Sequence, residues 1–374
     1  MNFTCTKSDI TFGVKIASRA VGSGSTLPIL AGIKMQTKGS ELQLIATDLE
    51  RAIMVTVPIE NKGSEGAYVL NGQLLSKITG MLPDDKLSMK LDENGDKVVI
   101  SSGTATFELL LQPVEDYPQL PEPPKETLLT IRRDRLVRAL ERTAFAAMSA
   151  RETSRLNLTG VDIVTKGDKL RMVATNGYRL ALKEEMLSGK TVEGEYLIDA
   201  DTLKELHSIL GGFSDETIKV AHKSDHLFFI TSKMIFAARV IQEEYPNIER
   251  VIPKENKMGL YLNRDALFGA LQRAEITTTP ESGAVILEVT DSLLYIRSSS
   301  AEKGQTEESI PLLKPADPIK ISFRGEYLID ALRRMSSSEV VLWLKDSESA
   351  GLLETVDDEE DQGFLYVCMP IRMD

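Results

Sequence analysis

The chain has 374 residues, a formal net charge of −12, 42% hydrophobic residues and 27% charged ones. That length can bury two or three ordinary cores, and no apolar run approaches the roughly 18 residues of a membrane span. Two cysteines at opposite ends, Cys5 and Cys368, make neither a disulfide framework nor a CxxC site. The opening MNFTCTKSDI lacks a basic stretch followed by an apolar one, so no secretory leader is expected and a reducing cytoplasm is the simplest home.

In chain order, "FTCTKSDITFGVKI" (3–16) reads as a short alternating strand running into an amphipathic helix. Strands are expected at 41–46, 52–59, 97–102 and 105–111, with a second helix over 71–82. "TIRRDRLVRAL" (130–140) restarts the plan, followed by strands at 170–174, 226–231 and 234–241 and a helix over 200–211. "YLNRDALFGAL" (261–271) starts it a third time, with strands at 284–290 and 339–344 and a helix over 324–335. Asp9, Asp134 and Asp265 stand near the helix starts, where a carboxylate can cap free N–H groups.

A shift of 128 superposes the first two copies. It places Thr47 on Thr175 within "LIATDLERA" and "MVATNGYRL", Tyr68 on Tyr196, and Tyr117-Pro118 on Tyr245-Pro246. The string "GEYLID" occurs at 194–199 and at 325–330, yet out of phase. The first copy precedes "DADTLKELHSIL" and reads as a strand feeding a helix capped by Asp199 or Asp201. The second follows the alternating "IKISFRG" and carries helical spacing itself, Leu328, Ala331, Leu332 and Met335. Proline-rich stretches at 117–127 and 245–257 close the first two copies. The expected units are 1–122, 127–250 and 256–374, each an α+β domain of two helices on a mostly antiparallel sheet.

Catalytic signatures are missing. His222 and His226 flank an expected hairpin turn without further metal ligands at workable spacing. No GxSxG, Walker or GxGxxG pattern occurs. The "DDEED" run (357–361) reads as a charged surface loop between strands. No enzyme, cofactor or metal is therefore expected. Charge is unevenly spread: the six helical windows together carry +5, leaving −17 for the rest of the chain. Helices biased positive in an acidic protein could face a phosphate backbone.

Three such repeats, with "TLPIL" (26–30), "ATDLE" (46–50), "VATNGYRLA" (173–181), "YPN" (245–247) and the terminal "YVCMPIRM" (366–373), closely resemble the bacterial DNA polymerase sliding clamp, the beta subunit of the polymerase III holoenzyme. The resemblance spans the whole chain. It implies the DNA clamp fold: a head-to-tail homodimeric ring of six domains, helices facing double-stranded DNA, with no catalytic activity. Such a ring holds DNA by topology and serves as a docking site for the replicative polymerase, the clamp loader and other proteins with a clamp-binding motif.

Carried over motif by motif, the resemblance implies a partner-peptide pocket of Leu158, Thr175, Gly177, Tyr178, Arg179, Leu180, Pro246, Arg250, Val251, Tyr327, Val367, Cys368, Met369, Pro370, Ile371, Arg372 and Met373. It implies DNA-facing cations at Lys15, Arg19, Lys77, Arg138, Arg142, Lys204, Arg273, Arg333 and Arg334. A dimer contact is implied at the edge near 104–111, with Phe107 and Ile276. Four positions depart from the family's pattern. Gly24 and Asp201 stand where basic residues are common, Tyr178 where a histidine is frequent, and Asn176 where an aspartate is usual. They imply a weaker DNA lining and a bulkier pocket wall. Two other readings compete: a non-ring repeat scaffold binding only proteins, and an enzyme whose carboxylates (Asp48 and the 357–361 run) meet across a dimer.

Overall fold

A computed structural model describes residues 1–22, 27–61, 63, 65–279 and 281–373. The first third of the chain contains β1 (Asn2–Thr6), α1 (Lys7–Ala17), β2 (Gly32–Lys38), β3 (Glu41–Thr47), β4 (Arg51–Pro58), β5 (Glu60–Asn61), β6 (Ala67–Asn71), α2 (Gly72–Met81), β7 (Lys86–Leu91), β8 (Lys97–Ser102) and β9 (Ala105–Leu110). The middle third contains β10 (Leu129–Arg132), α3 (Arg133–Thr143), β11 (Gly160–Lys166), β12 (Lys169–Thr175), β13 (Arg179–Met186), β14 (Gly194–Asp199), α4 (Ala200–Leu210), β15 (Thr217–Lys223), β16 (His226–Ile230) and β17 (Met234–Arg239). The last contains β18 (Met258–Asn263), α5 (Arg264–Glu275), β19 (Ala284–Thr290), β20 (Leu293–Ser300), β21 (Gly304–Pro311), β22 (Ile319–Arg324), α6 (Gly325–Leu332), β23 (Glu339–Leu344), β24 (Gly351–Thr355) and β25 (Phe364–Cys368). The two "GEYLID" copies are indeed β14 and the start of α6. No helix among the described residues is long and apolar enough to cross a membrane.

The repeats do not fold as three separate sheets. One compact unit comprises Met1–Asp134, Ser188–Val192 and Glu205–Val240; the other comprises Arg135–Leu187, Glu193–Lys204 and Ile241–Asp374. The first unit holds an eight-stranded antiparallel sheet ordered β10-β15-β16-β17-β4-β3-β2-β6 and a five-stranded sheet β5-β1-β7-β8-β9. The second holds an eight-stranded sheet β14-β11-β12-β13-β25-β24-β23-β18 and a four-stranded sheet β21-β20-β19-β22. The middle repeat thus divides its strands between both long sheets. Strand β17 pairs with β4, Phe236 opposite Ile53; strand β25 pairs with β13, Tyr366 opposite Ala181.

Alternation fixes which face is core. In the first unit Leu42, Leu44, Ile53, Val55 and Phe236 are fully buried, and α1 packs there through Ile10, Gly13 and Val14. Two helix starts are capped ahead of the expected aspartates: Thr6 and Asn263 accept from the backbone N–H groups of Asp9 and Ala266. Asp199 caps α4 as expected, accepting from the Thr202 N–H at 2.8 Å. Asp9 instead takes the Thr6 hydroxyl, at 2.5 Å, and Asp134 pairs with Arg132.

The "DDEED" run is not wholly a surface loop. Asp361 is buried, and its partner is Arg142, buried as well. The guanidinium also donates to the Arg334 carbonyl at 3.2 Å and to the Ser336 hydroxyl at 2.8 Å, while Asp361 accepts the Ser336 N–H at 2.7 Å. Arg142 therefore does not face solvent, correcting its assignment to a DNA-facing set: helical periodicity turns this position inward, beside buried Ala139 and Thr143. Removing one partner leaves an uncompensated buried charge. Arg142→Ala should cost about 3–5 kcal/mol in urea unfolding, and combining Arg142→Met with Asp361→Leu should recover most of it. A loss below about 1 kcal/mol for the single change would refute the buried-pair account.

Candidate functional site

The implied pocket residues all belong to the second unit. On the outer face of its long sheet, register builds one row from Asp162, Val173, Leu182 and Leu365, and another from Thr175, Leu180, Val367, Leu352 and Trp343. After the sheet, the chain lays Ile248 onto Val173, Leu180, Leu182 and Val367, with Tyr245, Ile252, Leu352 and Leu365 around them. Leu180 and Val367 are buried floor. The exposed apolar groups are Tyr178, Val251, Met369 and Met373. Leu158 and Pro246 line an adjoining cavity of about 350 Å³ with Leu156 and Glu243. The sequence reading missed Val173, Leu182, Ile248 and Leu365. The signal for Val173, Leu182 and Leu365 was the two-residue period flanking Thr175, Leu180 and Val367; Ile248, on a single helical turn at 248–250, carried no such period.

The 175–179 turn presents the rim. Thr175 Oγ1 donates to the Arg179 carbonyl at 2.6 Å and accepts the Gly177 N–H at 3.0 Å. Asn176 Oδ1 accepts from Tyr178 and Arg179. Gly177 takes φ +86°, a left-handed conformation natural to glycine. The first repeat builds the same turn with Thr47 and Asp48, but puts Leu49 at φ +78°. Asn176 thus does the acceptor work of an aspartate. Tyr178 adds an exposed ring, and its carbonyl accepts the Met369 N–H at 2.8 Å. Pro370 bridges Phe323, and the Ile371 N–H donates to the Ser322 carbonyl at 2.7 Å, so the tail runs between the turn and β22.

Arg179 and Cys368 are neighbours in register but are not groove lining. Arg179 donates to Asp330 at 2.7 Å and to the Phe145 carbonyl at 2.9 Å, and stacks 4.5 Å over the Tyr327 ring. It ties β13 to α6, and Asn176 reaches the Tyr327 hydroxyl at 3.2 Å. Cys368 is buried, and burial pushes its thiol up to about 12. Arg250 and Arg372 are exposed cations without an acidic partner among the described residues, suited to an anionic or backbone-carbonyl contact.

Burial, and then the charge of Glu195, push Asp162 up to about 7 against the opposing pull of Arg171. One of its oxygens has no hydrogen-bond partner.

Most of the implied DNA-facing cations already have neighbours. Arg19 pairs with Glu205, Arg138 with Glu360, Lys204 with Asp201 and Arg273 with Glu308. Arg334 is half-buried over the Phe145 ring at 4.1 Å. Lys15 and Lys77 are exposed without acidic partners among the described residues, and Arg333 is exposed beside Phe268. Asp201 thus offsets a helix cation directly. Gly24 lies outside the described residues. His226 pairs with Asp225, and no group of three metal-capable side chains occurs among the described residues.

Three consecutive two-helix repeats, paired across their boundaries, define the fold of a processivity clamp. The chain belongs to the DNA polymerase III beta subunit family: the models of its N-terminal, central and C-terminal domains match residues 1–121, 130–247 and 249–372. It is 27% identical to the beta sliding clamps of Escherichia coli and Pseudomonas putida, each covered end to end. Over the full length of both chains it superposes on the Thermotoga maritima DNA polymerase III beta subunit with TM-score 0.91 at 28% identity. For the Bacillus subtilis DNA polymerase sliding clamp the values are 0.92 and 25%. Its function is that of a DNA sliding clamp giving polymerase processivity, and it is not itself an enzyme.

The folded-state pKa of Asp162 lies above the usual carboxylate value of about 3.9, so between those values only the folded state retains the proton. Stability falls as pH rises from about 4 to about 7, and the deficit is complete above that. Asp162→Asn should therefore unfold at higher urea than the parent at pH 8 and near the same concentration at pH 4. Equal midpoints at both pH values would contradict the shift.

Proposed function

We propose that two copies close head to tail into a ring around duplex DNA, working in the cytoplasm, with repeats at 1–122, 127–250 and 256–374. In this reading the clamp loader, the replicative polymerase and other clamp-binding proteins dock in the groove of the second unit. The observation that carries it is the repeated strand pairing. Each repeat contributes two half-sheets, and the chain joins the first repeat's β4 half to the second's β17 half, and the second's β13 half to the third's β25 half. Two half-sheets are left over, ending at β9 and β21. They correspond to the two kinds of edge already joined twice, and open edges of this sort invite pairing.

Hairpin registers set the pairing. Phe107 opposes Ile100 across β8–β9, as Phe236 opposes Phe229 across β16–β17. Thr306 opposes Ser298, as Ala181 opposes Ala174. Phe236 faces Ile53 and Tyr366 faces Ala181 at the two internal joints. The third joint then sets Phe107 against Thr306 of the partner subunit. Thr277, next to exposed Ile276, touches Thr306 at 2.8 Å, which brings Ile276 beside Phe107. Phe107→Cys with Thr306→Cys should give an intermolecular disulfide on mild oxidation, while Phe107→Cys with Ser309→Cys should not. A monomer at micromolar concentration in sedimentation would overturn the ring.

Protein loaded on nicked circular DNA should resist high salt and leave once the circle is cut; release independent of topology would favour a scaffold. Lys15→Glu with Lys77→Glu should weaken retention more at low salt than high, since every phosphate left without its cation lowers the salt slope by roughly one. In the groove, deletion of 369–374 should abolish binding of polymerase-derived peptides. Met369→Ala, trimming a side chain that a bound peptide would cover, should cost about 1 kcal/mol, roughly fivefold in affinity. Unchanged peptide affinity in the truncated protein would move the pocket elsewhere.

A further inference from the structure

The long sheet of the first unit presents the same outer face as that of the second. Its rows are Lys34, Ile45, Met54 and Ile235, then Thr47, Ala52, Ala237 and Phe228. Position by position these match Asp162, Val173, Leu182 and Leu365, then Thr175, Leu180, Val367 and Leu352. The chain that follows β9 lays Tyr117 and Leu120 over the face, as Tyr245 and Ile248 lie over the other.

Two differences matter. Where the second unit has Leu180 and Val367, the first has Ala52 and Ala237, so its floor is lower by several methyl groups. A cavity of about 750 Å³ lies over it, bounded by these strands and by 118–123. One rim charge is reversed: Lys34 stands where the other sheet has Asp162. Lys38, on the same side of β2 and opposite Glu41, is matched by Lys166. Neither lysine has an acidic partner among the described residues. Of the carboxylates in the lining, Glu65 is occupied with the Gly39 N–H at 2.8 Å and Glu122 is exposed. Gln36 and Gln43 face each other across β2–β3, offering amide donors and acceptors to a passing backbone.

We propose that this groove is a second docking site, taking a short extended segment of another protein that carries carboxylate side chains next to a bulky aliphatic or aromatic anchor. The cations select the carboxylates, the lowered floor admits the anchor, and the glutamines hold the main chain. The class of ligand rests on the peptide reading of the second unit's groove; the cavity and its charge do not.

The probe is a fluorescein-labelled hexapeptide, Glu-Leu-Glu-Phe-Ser-Gly, titrated into the full chain by anisotropy. Lys34→Glu with Lys38→Glu should weaken it at least tenfold, with thermal melting unchanged. Ala52→Leu with Ala237→Val, which installs the other sheet's floor, should weaken it similarly, and deletion of 369–374 should leave it unaltered. No binding to millimolar concentration, equal binding of Lys-Leu-Lys-Phe-Ser-Gly, or indifference to the lysine changes would overturn the proposal. Loss of the probe on tail deletion alone would assign it to the second unit's groove, sinking this proposal while sustaining the earlier one. Tail deletion without effect on polymerase-derived peptides, with this probe still lost on the lysine changes, would do the reverse. A change of sedimentation on Lys34→Glu with Lys38→Glu would show a second copy on this face and overturn it too.

Discussion

Backbone pairing across repeat boundaries is the constraint on which everything else depends. A strand at a sheet edge exposes N–H and C=O groups that must find partners or remain in water. Here β4 and β17 satisfy one another, as do β13 and β25. The same two joints merge half-sheets from different repeats, place an aromatic residue at each seam, and create the long outer faces on which grooves form. The middle repeat has no sheet of its own to fall back on. Its integrity comes from what it shares with its neighbours.

Side-chain chemistry then differentiates two similar faces. Register makes Ala52 and Leu180 equivalent, and likewise Lys34 and Asp162, yet one face is deeper and carries a lysine while the other is filled and holds a buried acid. The second unit's rim is held by polar geometry: Thr175 and Asn176 lock the turn, and Arg179 joins it to Tyr327 and Asp330. A groove wall fixed in this way keeps its shape without a ligand, so less ordering would accompany the docking proposed for it.

The strands at 97–102 and 284–290 were legible to the residue because alternation of buried and exposed side chains is written directly in the sequence, and 339–344 because a short apolar run marks a strand buried along most of its length. The phase difference between the two "GEYLID" strings was legible from flanking periodicity. What escaped was which face of an element each residue serves. Five arginines in one window suggested a basic surface, yet Arg142 turns inward to meet Asp361, more than two hundred residues away. Arg179 and Leu180 are adjacent in a motif but lie on opposite sides of a strand. A charge count along the chain carries no information on long-range pairing, and such pairing decides whether a cation is available to a phosphate.

Cys5 and Cys368 are both buried, and burial pushes each thiol up to about 12, leaving a negligible thiolate fraction at neutral pH. A maleimide dye will therefore ignore the native protein and react with a cysteine introduced on an exposed rim. Single-molecule movement along DNA can be followed without first stripping the chain of its own sulfur.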